Sequence, residues 1–303
     1  MREELKNTCF FCKGGINSKQ DRDLEHIIPN SLLRSLGIQN ATLYGNHERT
    51  YSRVKVPAHR SCNNGFGNAY ESRVLELLND VDALYEDICL SEPSMPVIGG
   101  VNDSSAAIIS AWLCKIYYGL FYNDYLRDTS LGNDSLQKQI IDDVNFDLIR
   151  KSYKDGNAFM LPSSLYAFKT ENDDFDFRTS PYSGVIMFKY KTLVMVLCIG
   201  DGCLSKNYLS GEVLSRLKEH VPILEADHPS LAQNYLFAEI SALRMCIPKA
   251  PSFSYNDKQI INMSSMTMVA DPDSYYRVDD GMVADMRNEI LAGLGFIMPS
   301  TID

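Results

Sequence analysis

The sequence has no apolar run as long as the roughly 18–20 residues that a membrane-spanning helix requires. It also lacks the apolar segment of a secretory signal, because Met1 to Asn7 is polar. A chain with eight cysteines but no such signal is expected in the reducing cytoplasm. Closely spaced cysteines are there better interpreted as metal ligands than as disulfides.

Internal repeats and low-complexity tracts are also absent. With 45% hydrophobic and 22% charged residues, the composition excludes an intrinsically disordered chain. The 303 residues suffice for two domains or one large one. The net charge of −10 argues against a protein that coats nucleic acid through bulk positive charge.

This negative charge is unevenly distributed. Residues 1–75 contain 11 Lys and Arg against 7 Asp and Glu, a net charge of +4. The other 228 residues contain 18 against 32, a net charge of −14. A polyanion would therefore be expected to bind the first quarter of the chain.

The N-terminal part alternates short strands with helices. Leu24 to Ile28 and Tyr51 to Val56 are predicted strands, the second of them closed by Pro57. The long connection from Ser31 to Arg49 is expected to carry a short helix. A longer helical pattern begins at Asn63.

A Pro- and Gly-rich stretch from Ser91 to Gly100 predicts a linker or a sharp connection between two domains, 1–90 and 101–303. A helix is expected from Ser104 to Tyr125, and its tyrosines are interpreted as core residues rather than as a base-stacking platform. The remaining predicted elements are helices at 134–154, 209–221, 229–246 and 280–294, an exposed loop at 171–176, and a buried hairpin of 185–190 and 193–199 turning at Lys191-Thr192.

Two pairs of candidate metal ligands stand at the two ends of the N-terminal part, Cys9-x-x-Cys12 and His59-x-x-Cys62. Each pair can place two ligands on one side of a metal, and three cysteines with one histidine form a standard tetrahedral zinc set. Such a site would tie the N-terminus to the helix at Asn63. The alternative is a set of free thiols with a surface histidine.

Glu25 and His26 lie between the two ligand pairs, and Asn63 follows the last one. Phosphodiester hydrolysis uses an imidazole that deprotonates water together with oxygen ligands for a divalent cation. Glu25 and Asn63 supply oxygens of the kind that Mg²⁺ and Mn²⁺ prefer. The alternatives are a half-buried polar pair at 25–26 and a helix N-cap at Asn63.

The motifs follow one another in the order Cys-x-x-Cys, Glu-His-Ile-Ile-Pro and His-x-x-Cys-Asn-Asn-x-x-Gly. In this order they resemble the motifs of the HNH (ββα-metal) endonucleases, and the resemblance covers residues 8–80. The resemblance implies an N-terminal zinc-bound ββα-metal module. The element pattern of the remainder predicts a mainly helical α+β domain with a short antiparallel sheet, so the expected fold class is α+β. The resemblance also implies that His26 is the general base and that Glu25 and Asn63 hold a catalytic Mg²⁺ or Mn²⁺. A structural Zn²⁺ would be bound by Cys9, Cys12, His59 and Cys62.

The chain departs from the family pattern in three ways. Glu25 replaces the commoner Asp and would reach further, and His59 replaces the usual third cysteine. The spacing from His26 to Asn63 implies an insertion. The family's middle Asn, which orients the base through the backbone, could correspond to Asn46 or Asn40, and we favour Asn46 because it lies nearer the second strand.

Four basic residues lie between the predicted base and the predicted metal-binding Asn63, and they could follow a phosphate backbone: Arg49, Arg53, Lys55 and Arg60. A solvated strand face is the alternative for each one alone. The expected partner is nucleic acid, taken to be DNA.

The acidic remainder carries no recognised catalytic motif. We expect it to regulate the nuclease by forming a homodimer or by docking a protein partner, and the family resemblance makes phage defence a natural setting. The main rival is a non-catalytic zinc module that binds nucleic acid or protein. A zinc deaminase is a weaker rival, because the His-x-Glu and Pro-Cys-x-x-Cys pattern is absent.

Overall fold

The structure is a computed structural model. It describes residues 2–43, 49–90, 104–143, 163–180 and 184–199, with short pieces at 97–98, 159–160, 237, 240–241, 260–263 and 266–269. These residues form helices and antiparallel sheets, so the protein is a mixed α+β fold, as expected. The predicted helices at 209–221 and 280–294, and all but three positions of the one at 229–246, lie outside the described residues.

The N-terminal part contains a two-stranded antiparallel sheet followed directly by a helix. Its elements are α1 (Arg2–Lys6), β1 (Arg22–His26), α2 (Asn30–Ser35), β2 (Thr42–Leu43), β3 (Arg49–Thr50), a 3₁₀ turn (Tyr51–Arg53), β4 (Lys55–His59), α3 (Arg60–Phe66), a π turn (Gly67–Glu71), α4 (Ser72–Leu77) and α5 (Val81–Leu90). β1 pairs with β4, with His26 opposite Lys55. The short helix expected within Ser31 to Arg49 is present as α2.

The predicted strand at 51–56 was wrong in position. Tyr51–Arg53 forms a 3₁₀ turn, and the strand runs through Pro57 instead of ending before it. Proline is tolerated there because β4 has only β1 as a neighbour among the described strands, so its missing N–H costs no ladder bond. The Pro57 carbonyl accepts a hydrogen bond from the Phe10 amide at 2.8 Å, which ties the first cysteine loop to β4.

The rest of the described chain is built around one long helix and one long hairpin. Its elements are β5 (Val97–Ile98), α6 (Ser105–Arg127), α7 (Leu136–Asp143), β6 (Phe159–Met160), β7 (Ser164–Ser180), β8 (Val185–Cys198), β9 (Ile260–Met263) and β10 (Met266–Val269). β5, β6, β10 and β9 form a four-stranded sheet in that order. α7 lies within the predicted helix at 134–154, of which residues 144–154 are outside the described part.

The predicted loop at 171–176 and the predicted turn at Lys191-Thr192 were both wrong. Residues 164–180 form one strand that pairs antiparallel with the single strand 185–198, so Lys191-Thr192 lies within a strand and is not the turn. The ladder is irregular between Lys169 and Asp174, opposite Lys191, which has a φ of 54°. The local signals that resembled a loop and a turn therefore mark a bulge within a continuous hairpin.

α6 starts where the sequence predicts: Ser104 is its N-cap, and the Ser104 Oγ accepts a hydrogen bond from the Ala107 amide at 3.2 Å. The helix is buried on nearly all sides, which is typical of a helix at the centre of a core. The tyrosines were correctly predicted as core, since Tyr117, Tyr118, Tyr122 and Tyr125 are buried.

The core is continuous from the N-terminal part to the hairpin. One cluster of buried residues includes Phe10 and Phe66, Trp112 of α6 and Phe188 of β8. α6 therefore packs directly on the N-terminal elements, although the sequence places it in the second predicted domain. Among the described helices, none is long and apolar enough to cross a lipid bilayer.

Candidate functional site

The four predicted zinc ligands lie together. The ligand atoms of Cys9, Cys12, His59 and Cys62 are all within 4.8 Å of one another. Cys9 and Cys62 are buried, whereas Cys12 and His59 are partly exposed. Within the part of the chain that the structure describes, this is the only such group of three or more metal-ligating side chains.

The His59 ring is oriented as a metal ligand would be. Its Nδ1 lies 3.3 Å from Cys12 Sγ, while Nε2 lies 3.2 Å from the Gly15 carbonyl and 3.5 Å from Asp21 Oδ2. A proton on Nε2 that is donated to these oxygens leaves the Nδ1 lone pair directed at the thiols. Metal-ligating histidines are held in this way, so the residues fit a structural zinc ion.

The loop that carries Cys9 and Cys12 is closely wrapped around the cluster. A Cβ on Gly14 would lie 3.3 Å from both Cys12 Sγ and His59 Cε1, tighter than an ordinary contact. Hydrogen bonds from Cys62 and Cys9 lower the pKa of the Cys12 thiol. A thiolate in this position is the form that binds zinc.

His26, the predicted base, is the last residue of β1 and is half-buried. Burial lowers its pKa to about 4, and the positive charges of Lys55 and Lys115 add to the effect. Asp23 opposes it from the same strand. The imidazole is therefore neutral at pH 7 and able to accept a proton.

Glu25, one of the two predicted metal ligands, forms an ion pair with Lys115 of α6. Its side chain is only 7% exposed, and Glu71 Oε1 lies 2.7 Å from the same ammonium. Burial disfavours the charge on Lys115, but the two carboxylates outweigh this and raise the pKa of the ammonium. Burial raises the pKa of Glu25, and Lys115 opposes that rise.

Asn63, the other predicted metal ligand, lies against β1. It is the fourth residue of α3, whose N-cap is His59, so Asn63 is not the cap of this helix. Its Nδ2 donates to Asp23 Oδ2 at 3.0 Å. Asp23 lies on the same face of β1 as Glu25, since strand residues two apart share a face.

Sequence reasoning missed Asp23 as a candidate site residue. The signal was available in principle, because Asp23 precedes Glu25 by two positions and pairs with Ala58, next to the start of α3. Recognising this signal requires the β1–β4 register, and the predicted second strand was in the wrong position to give that register.

The four predicted phosphate-binding residues fall into two groups. Arg53 and Arg60 are exposed, and Lys55 is partly buried opposite His26. The Arg49 side chain is only 9% exposed and is paired with Asp124 of α6. Arg49 is therefore part of the structural core of this region.

Of the two candidates for the Asn that orients the base, only one lies in the described part of the chain. Asn46 lies outside the described residues. Asn40 is described and is exposed. Which one orients His26 stays a prediction.

Comparisons with known proteins add nothing to this geometry: no family model, no curated protein and no solved structure matches the chain.

Proposed function

We propose that this protein is a metal-dependent HNH endonuclease that hydrolyses phosphodiester bonds in DNA. The observation that carries the proposal is the hydrogen bond from Asn63 to Asp23, which lies on the strand that ends at His26. A neutral imidazole ends β1, and the carboxylate of Asp23 on that strand contacts the amide of a helix anchored by the four-ligand cluster.

His26 is the proposed general base. With a pKa of about 4 it is unprotonated at neutral pH, which is the form that can take a proton from water. A bound phosphodiester would add a negative charge beside it and raise its pKa towards the range that suits proton transfer. Loss of such a base typically costs about 10²–10⁴-fold in rate.

Asn63, Asp23 and Glu25 are the proposed holders of a Mg²⁺ or Mn²⁺ ion. Their oxygens are the donor type that these cations prefer. One Glu25 oxygen accepts a hydrogen bond from Lys115. Asp23 and Asn63 form a hydrogen bond with each other. When bound, the cation would neutralise charge on the scissile phosphate and on the leaving 3′ oxygen.

The zinc cluster has a structural role in this proposal. It joins the loop at residues 9–12 to the end of β4 and the start of α3, and so fixes the helix that carries Asn63. Exposed Arg53 and Arg60, with Lys55 beside the base, are proposed to contact phosphates. Arg49 is left out because of its pairing with Asp124.

The remainder of the chain is proposed to restrain cleavage. Its net charge of −14 over residues 76–303 would repel a phosphate backbone until a second copy of the chain or a protein partner neutralises it.

The test is a substrate and metal panel on the full chain. Supercoiled plasmid, linear duplex, single-stranded DNA and RNA are incubated with Mn²⁺, Mg²⁺, Ca²⁺ or EDTA. We expect cleavage of DNA with Mn²⁺ or Mg²⁺ and none with EDTA. Binding of DNA without cleavage under every metal would contradict the proposal and favour a non-catalytic zinc module.

Variants of the proposed metal-binding residues refine this test. Asn63→Ala and Asp23→Asn should raise the Mn²⁺ concentration needed for half-maximal cleavage, because the first removes a ligand oxygen and the second removes a negative charge that attracts the cation. Asn79→Ala is the matched control, since Asn79 is exposed. An unchanged Mn²⁺ requirement in Asn63→Ala would remove this residue from the proposed metal site.

A further inference from the structure

One face of α6 lies against the two-stranded β1–β4 sheet around His26. The residues that share this face are spaced four apart, and each lies against β1, β4 or a residue within two positions of these strands: Lys115, Gly119, Asn123 and Arg127. Residues at this spacing stand above one another on a helix.

Lys115 holds the end of β1. Its Nζ donates to the His26 carbonyl at 2.5 Å and to the Ile27 carbonyl at 3.0 Å, in addition to the carboxylates of Glu25 and Glu71. The side chain is fully buried. Four oxygens from two segments, residues 25–27 and Glu71, thus converge on one ammonium, which fixes the backbone on both sides of the peptide bond after His26.

Asn123 holds the opposite strand at the matching position. Its Nδ2 donates to the Lys55 carbonyl at 2.5 Å, and Lys55 is the residue paired with His26 across the sheet. Arg127 reaches the Arg53 carbonyl at 3.4 Å. The helix therefore holds both members of the His26–Lys55 pair by their carbonyls.

The helix can lie this close because of Gly119. A Cβ at this position would be 2.2 Å from Ile27 Cδ1 and 3.0 Å from Ile27 Cγ1. Ile27 follows His26 directly and is fully buried. Gly119 thus permits the approach that brings Lys115 and Asn123 to the strand carbonyls.

We infer that Lys115 and Asn123 are positioning residues for the base His26, and that α6 is part of the hydrolytic site rather than of an accessory domain. The inference rests on the proposed function. Directly after His26, one backbone hydrogen bond, from the Ile27 amide to the Val54 carbonyl at 3.1 Å, continues the pairing, and Lys115 adds bonds to the His26 and Ile27 carbonyls. Catalytic geometry is demanding, and a displacement of about 1 Å can cost about 10²-fold in rate.

The test compares Lys115→Met, Lys115→Arg and Asn123→Ala in the full chain. Lys189→Met is the matched control, because Lys189 is also fully buried and paired with a carboxylate, that of Asp174 on the β7–β8 hairpin. The readouts are kcat and KM for Mn²⁺-dependent plasmid cleavage, with zinc content as a check on the cluster.

We expect kcat to fall about 100-fold in Lys115→Met and at least about 10-fold in Asn123→Ala, with KM for DNA nearly unchanged, because neither residue touches substrate. Lys115→Arg should restore part of kcat, since it keeps the charge and several donors. Lys189→Met should keep wild-type kcat. If Lys115→Met does not fold, Asn123→Ala still decides. An Asn123→Ala variant with wild-type kcat overturns the inference.

A second readout separates this inference from the proposed function. If the wild-type protein cleaves nothing, the proposed function fails, and positioning is judged by the His26 imidazole resonances in histidine-labelled protein, assigned with His26→Ala. Asn123→Ala should shift these resonances and Lys189→Met should not. Unchanged His26 resonances in Asn123→Ala would overturn the positioning role.

Discussion

Lys115 and Glu25, ninety residues apart in the chain, form a buried ion pair that joins α6 to the end of β1. The Glu71 carboxylate also forms an ion pair with the Lys115 ammonium, at 2.7 Å. Because the partners come from a helix, a strand and a π turn, this contact forms only when the N-terminal part and α6 are folded together.

Replacing Lys115 should therefore cost much of the protein's stability. Lys115→Met leaves two carboxylates buried without their counter-charge, and the loss of one partner of a buried pair costs about 3–5 kcal/mol. Urea denaturation of zinc-loaded protein measures the free energy of unfolding. Lys189→Met should lose less, because its partner Asp174 is half-exposed. A loss below about 1 kcal/mol in Lys115→Met would show that the pair is not the link described here.

The zinc cluster should bind one metal ion per chain. We expect purified protein to contain about one zinc ion, and Cys62→Ser to lose it and unfold at a lower temperature, since structural zinc contributes folding free energy. Cys89→Ser is the control, because Cys89 is exposed and outside the cluster. Equal zinc content in the two variants would contradict the site.

The low pKa of His26 predicts a pH-dependent stability difference. The folded-state pKa of about 4 lies below the unfolded value of about 6.5, so the unfolded chain binds the proton more readily. The stability that His26 contributes is present above pH 6.5 and is lost as the pH falls towards 4. The free energy of unfolding of wild type minus that of His26→Gln should therefore be smaller at pH 5 than at pH 7.5. Effects of acid on the zinc site cancel between the two proteins, and a difference that grows at pH 5 would contradict the prediction.

The close approach of α6 to Ile27 should make Gly119 intolerant of a side chain. Gly119→Ala forces the helix or Ile27 to move, and overpacking a core costs about 1–3 kcal/mol. Gly67→Ala is the matched control: its Cβ would meet only Glu71 Oε2, at 3.9 Å, and its backbone is helical. Denaturation midpoints compare the two, and equal midpoints would contradict the packing.

Replacing the basic residues should change the salt dependence of DNA affinity for some of them and not for others. Each phosphate contact contributes about 0.9 to the slope of log affinity against log salt. Arg53→Gln and Arg60→Gln should each lower that slope by about this amount, while Arg49→Gln should leave the slope unchanged and lower stability, because Arg49 is paired with Asp124. Titration of a labelled duplex at several salt concentrations measures the slope, and a reduced slope in Arg49→Gln would contradict this division.

The sequence was most informative where the signal is local. The Cys9-x-x-Cys12 and His59-x-x-Cys62 spacings are set by short loops, so the cluster could be predicted without knowing the fold. The start of α6 at Ser104 and the burial of its tyrosines followed from a cap and from apolar residues on all sides.

Contacts between distant segments could not be predicted in this way. The partner of Glu25 is Lys115, and the partner of Arg49 is Asp124, and both depend on how α6 packs. Asp23 was missed because its role depends on strand register. The β7–β8 hairpin was misread because Lys191, opposite the bulge between Lys169 and Asp174, has the positive φ typical of a turn.

The most direct test of the central claim is the initial rate of Mn²⁺-dependent plasmid cleavage by zinc-loaded His26→Ala and wild type, with their zinc content and circular dichroism spectra matched. The account predicts cleavage by wild type and a loss of at least about 10²-fold in His26→Ala. Cleavage at the wild-type rate by His26→Ala would contradict it.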